Sequence, residues 1–285
     1  MFGLSKIQKN GVLPANTKRV GLLAGSGEFP VLLADALRRQ GLELAVAAFE
    51  RGGADSLRDR AAVYEPFELR EGQRVLDYLK ASGIRHLVMA GSMPKRKVYT
   101  ADYKPDALSQ KVLKGLPLKG DAAILNAVQM VLRMNGIRLL GPAAVLPEWV
   151  ASARVLTRTQ PTPQQIEDAR FGLRVAKEIG RLDIGQGVIV KDKTVLAVEA
   201  IEGTDRMIAR LSELNAPGAV IVKCAKPKQD LRLDMPVIGE RTVDLAHASA
   251  CALIAVEAQR TLVLNLPVCI EKADRYGISI MGITE

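Results

Sequence analysis

Residues 19–24 form a short apolar run, Gly25-Ser26-Gly27 interrupts it, and Pro30 leads a helical pattern through Gln40 with Gly41 past its end. Strand, glycine turn and helix in that order are the unit of an α/β sheet. The unit recurs: residues 44–49 read as a second strand, 71–82 as a helix, and 84–90 as a third strand that runs into Gly91-Ser92. Such repetition predicts a parallel sheet with helices on its faces. A glycine turn before a helix lets backbone N–H groups approach phosphate, which makes Gly25, Ser26, Gly27, Gly91 and Ser92 candidate binding positions. The dinucleotide fingerprint is incomplete, because Pro30 stands where its third glycine belongs, so a structural tight turn is an equal reading. His86, inside the third run, reads as a core or strand-edge residue.

Asp121 caps a helix whose Ile124, Leu125, Val128, Val131 and Leu132 share a face and which ends at Asn135-Gly136; residues 137–140 close this half as a strand. Pro142, Pro147 and Pro161-Thr162-Pro163 mark a boundary. The expected division is an arm over 1–18, a Rossmann-like domain over 19–145, a linker over 146–163 and a mixed α/β domain over 164–285. In the second half, 164–179 reads as a helix, and 187–190 and 194–198 as a hairpin around Lys191-Asp192-Lys193. Strands follow at 219–223, 253–256, 262–264 and 278–281, with helices at 243–250 and 267–276.

The chemistry concentrates in residues 198–242. Glu199, Glu202, Asp205, Asp230 and Asp234 interleave there with Lys223, Lys226, Lys228, Arg232 and Arg241. Oxygens can hold a divalent metal and cations can hold phosphate, although a solvated charged loop is the plain alternative. Glu199 and Glu202 flank a strand-to-helix turn, Thr204 can cap the helix, and Asp205 falls in its first turn, where the dipole favours a carboxylate. Residues 230–234 alternate, which predicts a stiff extended loop with Asp230, Arg232 and Asp234 on one face and Leu231 and Leu233 buried. Ala225, a small residue at a strand end between Lys223 and Lys226, leaves room for a substrate.

The net charge of +9 suits nucleic acid, an anionic membrane or a phosphorylated substrate. Aromatic residues make up only 4% and no nucleic-acid-binding pattern occurs, so nucleic acid is not the expected partner. No run approaches the ~18 apolar residues of a membrane span, and the first 18 residues lack the apolar core of a secretory signal. Lys95, Arg96, Lys97 and Lys104, with Tyr99 and Tyr103, form a basic loop that is either ordinary surface or a contact for phosphate or headgroups. Cys224, Cys251 and Cys269 lack metal-ligand spacing and read as buried reduced thiols of a cytoplasmic protein.

GQGVIV at 185–190, VEAIEGTD at 198–205 and KCAKPKQDLRLDMPVIGERT at 223–242 resemble the C-terminal domain of the UDP-2,3-diacylglucosamine pyrophosphatases of the LpxI type. GLLAGSGEFP at 21–30 and the pair Gly120-Asp121 resemble the N-terminal domain of that family, and the likeness runs from about Arg19 to the end. It implies hydrolysis of UDP-2,3-diacylglucosamine to UMP and 2,3-diacylglucosamine 1-phosphate (lipid X) in lipid A biosynthesis, with Mg²⁺ or another divalent cation. Within the charged stretch the expected catalytic residues are Asp230, Asp234 and Lys223 and the expected metal ligands are Glu199, Glu202 and Asp205, while which carboxylate is base and which is ligand is left open. Gln186, Thr204, Ala225, Lys226, Gln229, Arg232, Arg241 and Thr242 join the glycine turns, Gly120 and Asp121 as expected substrate contacts.

A soluble enzyme must meet such a lipid at the cytoplasmic face of the inner membrane, so peripheral association is expected; a homodimer is left open. The substrate is expected between the two domains, with water attacking the uridine-bound phosphorus. Diphosphate hydrolysis needs neutralised phosphoryl oxygens and an activated water, and a carboxylate base suits this chain better than either histidine. No nucleophile elbow, P-loop or Nudix-type helix points to another hydrolytic mechanism. The alternatives are a nucleotide-binding Rossmann-like oxidoreductase, which lacks a clearly placed acidic ribose-binding residue because Glu50 is followed at once by Arg51 after the second strand, and a membrane-surface binding protein.

Overall fold

The run Arg19–Ala24 is β1 and is buried along nearly its whole length, as the central strand of a sheet covered on both faces must be. The computed structural model describes residues 13–49, 55–91, 104–114 and 121–285. The chain divides into two compact units, Met1–Leu146 and Pro147–Glu285.

In the first unit the elements after β1 are α1 (Phe29–Arg39), β2 (Glu43–Phe49), α2 (Asp55–Arg58), β3 (Val63–Phe67), α3 (Gly72–Ala81) and β4 (His86–Ala90). There follow α4 (Ala107–Lys114), α5 (Asp121–Met134), β5 (Arg138–Leu140) and α6 (Pro142–Val145). All strand pairs are parallel, in the order β3-β2-β1-β4-β5. The order reverses direction between β1 and β4, which makes the carboxyl ends of those two strands the switch point of a Rossmann-like sheet. β3 is an edge strand absent from the sequence reading, and the edge position is what tolerates Pro66.

The second unit begins with a 3₁₀ turn at Pro147–Trp149 and continues with α7 (Pro163–Arg181), β6 (Gly187–Lys191), β7 (Thr194–Val198) and α8 (Thr204–Arg210). A second 3₁₀ turn covers Leu211–Leu214; then come β8 (Val220–Lys223), β9 (Val237–Ile238), α9 (Glu240–Ala248), β10 (Leu253–Glu257), β11 (Leu262–Val263), α10 (Leu266–Tyr276) and β12 (Ser279–Ile283). The main sheet runs β12-β10-β8-β6-β7, parallel from β12 to β8 and antiparallel through the β6–β7 hairpin. β9 and β11 form a separate parallel pair. Residues 146–163, expected as a linker, mostly belong to this unit: Trp149 is buried, Val150 bridges Leu262, and Val155 bridges Met281.

Strand residues alternate between two cores. Ile189, Ile221, Ile254 and Ile280 face α8, α9 and α10; Val188, Val190, Val220, Val222, Leu253 and Ala255 face α7. α7 begins with a full capping box: the Gln165 amide donates to Thr162 Oγ1 at 3.2 Å, and the Thr162 amide to Gln165 Oε1 at 2.9 Å. Its glycines permit a close approach to the sheet. A Cβ on Gly172 would stand 2.6 Å from Val222 Cγ2, and one on Gly180 would stand 3.3 Å from Lys226 Cα. Eight helical residues rise about 12 Å, and four extended residues cover about 13 Å, so α7 runs alongside β8 towards its carboxyl end.

Candidate functional site

β7, β8 and β10 all end on the same edge of the second sheet, and β6 starts there. Lys223, the last residue of β8, has the parity of Ile221 and therefore points to the α8 side. Its ammonium donates to Thr204 Oγ1 at 2.8 Å and to the Val237 carbonyl at 2.9 Å. The Thr204 hydroxyl in turn donates to Glu199 Oε1 at 2.7 Å. Lys223 and Glu199 are both buried. Burial pushes the Lys223 ammonium below its ordinary range, against the opposing pull of Glu199, Asp205 and Asp234. Glu199 Oε2 is buried without a partner among the described residues and lies over Gly187, where a Cβ would come within 2.8 Å of it. Buried Gln186 Oε1 is likewise unpaired.

Thr204 departs from its expected role. The cap of α8 is Gly203, at φ 84°, and Thr204 is the first helical residue, which frees its hydroxyl to link Lys223 to Glu199.

The stretch 226–236 is a chain of turns. The amides of Leu233 and Asp234 donate to the Asp230 carbonyl at 2.9 and 3.1 Å. Those bonds coil the segment, so the expected extended alternation does not form, and Leu231 and Leu233 are only half-buried. Asp230 accepts from the Arg232 amide at 3.0 Å and from its guanidinium at 2.9 and 2.5 Å. The guanidinium hydrogen bonds hold the Asp230 carboxyl below the usual carboxylate range. Gln229 spans the loop: its Oε1 accepts from the Lys226 amide at 2.9 Å and its Nε2 donates to Asp234 Oδ2 at 2.8 Å. The Lys226 ammonium pairs with Asp183 at 2.5 Å. Asp234 is exposed.

The expected metal ligands do not gather. Glu202 pairs with Arg210 at 2.8 Å, Asp205 pairs with Arg241 at 2.7 Å, and Glu199 is engaged by Thr204. No three carboxylate, histidine or cysteine groups among the described residues are placed to hold a metal ion. As arranged, Glu199, Glu202 and Asp205 do not fit Mg²⁺ as a ligand set. Thr242 is buried in the first turn of α9, its hydroxyl 3.4 Å from the Gly239 amide.

Sequence reasoning missed two residues here. Lys177 of α7 donates to Glu257 Oε1 at 2.6 Å and to the Ala225 carbonyl at 3.1 Å, while the Ala225 amide donates to Glu257 Oε2 at 2.8 Å. Both side chains are buried, and Ala225 is wholly enclosed, so its methyl opens no space at the surface. The available signal was a lysine four residues after Leu173 on the apolar face of α7.

In the first unit the Gly25 amide donates to the Ala90 carbonyl at 2.8 Å, and Gly91 has φ 88°. A Cβ on Gly91 would stand 2.7 Å from the Ser26 carbonyl oxygen, so glycine is required for the two turns to meet. Gly25, Ser26, Gly27 and Gly91 thus share the switch point of the sheet. Asp121 opens α5. Ser92, Gly120, Glu50, Arg51 and the basic loop from Lys95 to Tyr103 lie outside the described residues; Lys104 is exposed.

Residues 19–149 match the LpxI N-terminal domain, and residues 152–281 match the LpxI C-terminal domain. A relative from Caulobacter vibrioides, named UDP-2,3-diacylglucosamine pyrophosphatase LpxI, is 36% identical over 281 residues, covering 93% of this chain and 98% of the relative. Among solved structures, gox2253 is 13% identical, with a TM-score of 0.32, over 93% of this chain and 77% of that one. The biotin carboxylase domain of Hydrogenobacter thermophilus 2-oxoglutarate carboxylase is 12% identical, with a TM-score of 0.25, over 62% of this chain and 35% of that one. Likenesses so slight carry no argument. The two domain matches and the full-length relative agree with each other, and the chain belongs to the LpxI family.

Proposed function

We propose that this protein hydrolyses the diphosphate of UDP-2,3-diacylglucosamine to UMP and 2,3-diacylglucosamine 1-phosphate, a step of lipid A biosynthesis. The observation that carries the reading is the single sheet edge on which Lys223, Thr204 and Glu199 adjoin the loop of Lys226, Gln229, Asp230, Arg232 and Asp234. An ammonium has three donors; Thr204 and Val237 take two of Lys223's, leaving one for a phosphoryl oxygen. Lys226, Arg232 and Arg241 would add positive charge where it develops on the diphosphate. Asp230, locked by Arg232, suits an orienting role, whereas exposed Asp234, held on one oxygen by Gln229, suits a general base.

The glycine turns at the β1–β4 switch point of the first unit remain candidate anion contacts by their closeness of backbone approach. Divalent-metal dependence belongs to this reading on chemical grounds, since a diphosphate carries Mg²⁺ and such an ion needs only one or two protein carboxylates. The net charge of +9 supports peripheral binding to an anionic inner-membrane surface, and no helix among the described residues is long and apolar enough to cross a membrane. Purified protein incubated with Mg²⁺ and UDP-2,3-diacylglucosamine should release UMP and lipid X in equal amounts, read by ³¹P NMR. Absence of UMP would overturn the assignment.

A further inference from the structure

The two ends of the loop that carries Asp230 and Asp234 are each held by a buried lysine. Lys223 holds the far end through the Val237 carbonyl at 2.9 Å. Lys177 holds the near end through the Ala225 carbonyl at 3.1 Å. The lysines approach from opposite faces of the sheet: Lys223 shares the parity of Ile221, and Lys177 comes from α7, which packs against Val222 and Cys224. At the near end the grip is closed. Glu257, the last residue of β10, accepts from the Ala225 amide at 2.8 Å and from Lys177 at 2.6 Å. Both polar groups of one residue are therefore tied to one buried ion pair. Arg260 Nε stands 3.1 Å from Glu257 Oε1 without hydrogen-bond alignment.

We infer that Lys177 and Glu257 are a positioning pair for the candidate catalytic loop. They fix where the chain leaves β8 and so where Lys226, Gln229, Asp230 and Asp234 stand. The inference rests on the proposed hydrolysis for its link to turnover. A buried ion pair is a poor device for stability alone, because well-packed apolar residues often replace one at no cost to the fold, while removal of a single partner is costly. A fixed main-chain position is something apolar residues of the same volume cannot supply.

That difference gives the test. Lys177→Met strands the Glu257 carboxylate and should lower the melting temperature as well as kcat. Lys177→Met combined with Glu257→Leu removes both charges and should recover part of that loss, still melting below the wild type because the buried Ala225 amide and carbonyl lose their partners. Its kcat should still fall by about 10²-fold, the scale of a 1 Å misplacement, with KM moving far less. Lys177→Arg, which keeps the charge, should restore part of kcat. Lys193→Met, which removes an exposed pair with Glu167, serves as a control and should change nothing. Amide exchange over residues 225–237, measured without substrate, should accelerate in the double variant. Either wild-type kcat or wild-type exchange in the folded double variant overturns the inference. If the wild-type protein releases no UMP, the proposed reaction falls, and the exchange measurement alone decides whether the pair clamps the loop.

Discussion

Lys223 and Val237 stand fourteen positions apart in sequence, and the ammonium of one donates to the carbonyl of the other at 2.9 Å. The same ammonium binds Thr204, so one side chain joins a strand end, a helix start and a loop end. Lys223→Met would preserve most of the buried stem while removing both donors. An abandoned buried acceptor costs about 1–3 kcal/mol. The urea midpoint should drop with little change in m, and UMP release should be lost. A variant with the wild-type midpoint would show that these bonds contribute nothing net.

Asp234→Ala and Asp230→Ala should fold, because both residues lie on a loop whose ends are held elsewhere. Loss of a general base costs about 10²–10⁴-fold in kcat, and that range is expected for Asp234. Gln229→Ala, which frees Asp234 from its hydrogen bond, should give a smaller loss. Circular dichroism together with UMP release checks all three. Near-wild-type turnover in both aspartate variants would remove the loop from the mechanism.

The strands were legible in the sequence where branched apolar residues cluster, and the β6–β7 hairpin was legible because Asp192 and Lys193 take the two turn positions, both at positive φ. β3 was not, since Pro66 and two half-buried residues leave Val63–Phe67 without a strand pattern until β2 supplies its partner. The charges of 230–234 alternate as an exposed strand would, yet the Asp230 carbonyl gathers two amides and coils the segment. Sequence spacing placed Glu199, Thr204 and Lys223 in one site, because all three fall at ends of elements meeting one sheet edge. It could not disclose Glu257, which is brought to Ala225 only by the pairing of β10 with β8.

Acid stability should carry the signature of Asp230. The Arg232 hydrogen bond foremost holds its carboxyl below the usual value. A carboxyl depressed on folding contributes stability that is present above its unfolded pKa and is lost as pH falls through the folded value. Asp230→Asn should therefore flatten the fall of melting temperature below about pH 4, the unfolded aspartate range. An acid limb as steep as the wild type's would mean that the Arg232 pair adds no stability.

The thiols should be inert in the folded protein. Burial pushes Cys224 and Cys251 up to about 12, and Cys269 is fully enclosed with its Sγ 3.0 Å from the Leu264 carbonyl. Thiolate is the reactive form, so Ellman's reagent at pH 8 should label none of the three rapidly, and all three after denaturation. Fast labelling of one thiol in the native protein would place that cysteine at an open surface.

Chelation separates two ways of using a metal. If Glu199, Glu202 and Asp205 formed the binding set, Glu202→Gln and Asp205→Asn would each raise the Mg²⁺ concentration needed for half-maximal rate. Their carboxylates are occupied by Arg210 and Arg241, at 2.8 and 2.7 Å, on partly exposed surface where such pairs contribute little to stability. The expected outcome is that EDTA abolishes UMP release and Mg²⁺ restores it. Glu202→Gln and Asp205→Asn should show the wild-type Mg²⁺ dependence, because an ion carried by the diphosphate, as in the proposed reading, would require few protein ligands. Asp234→Asn should then be the variant whose Mg²⁺ requirement or rate changes. A shift of tenfold or so in Mg²⁺ half-saturation, about 1.4 kcal/mol, for Glu202→Gln would instead show that these carboxylates leave their arginines and gather when substrate binds.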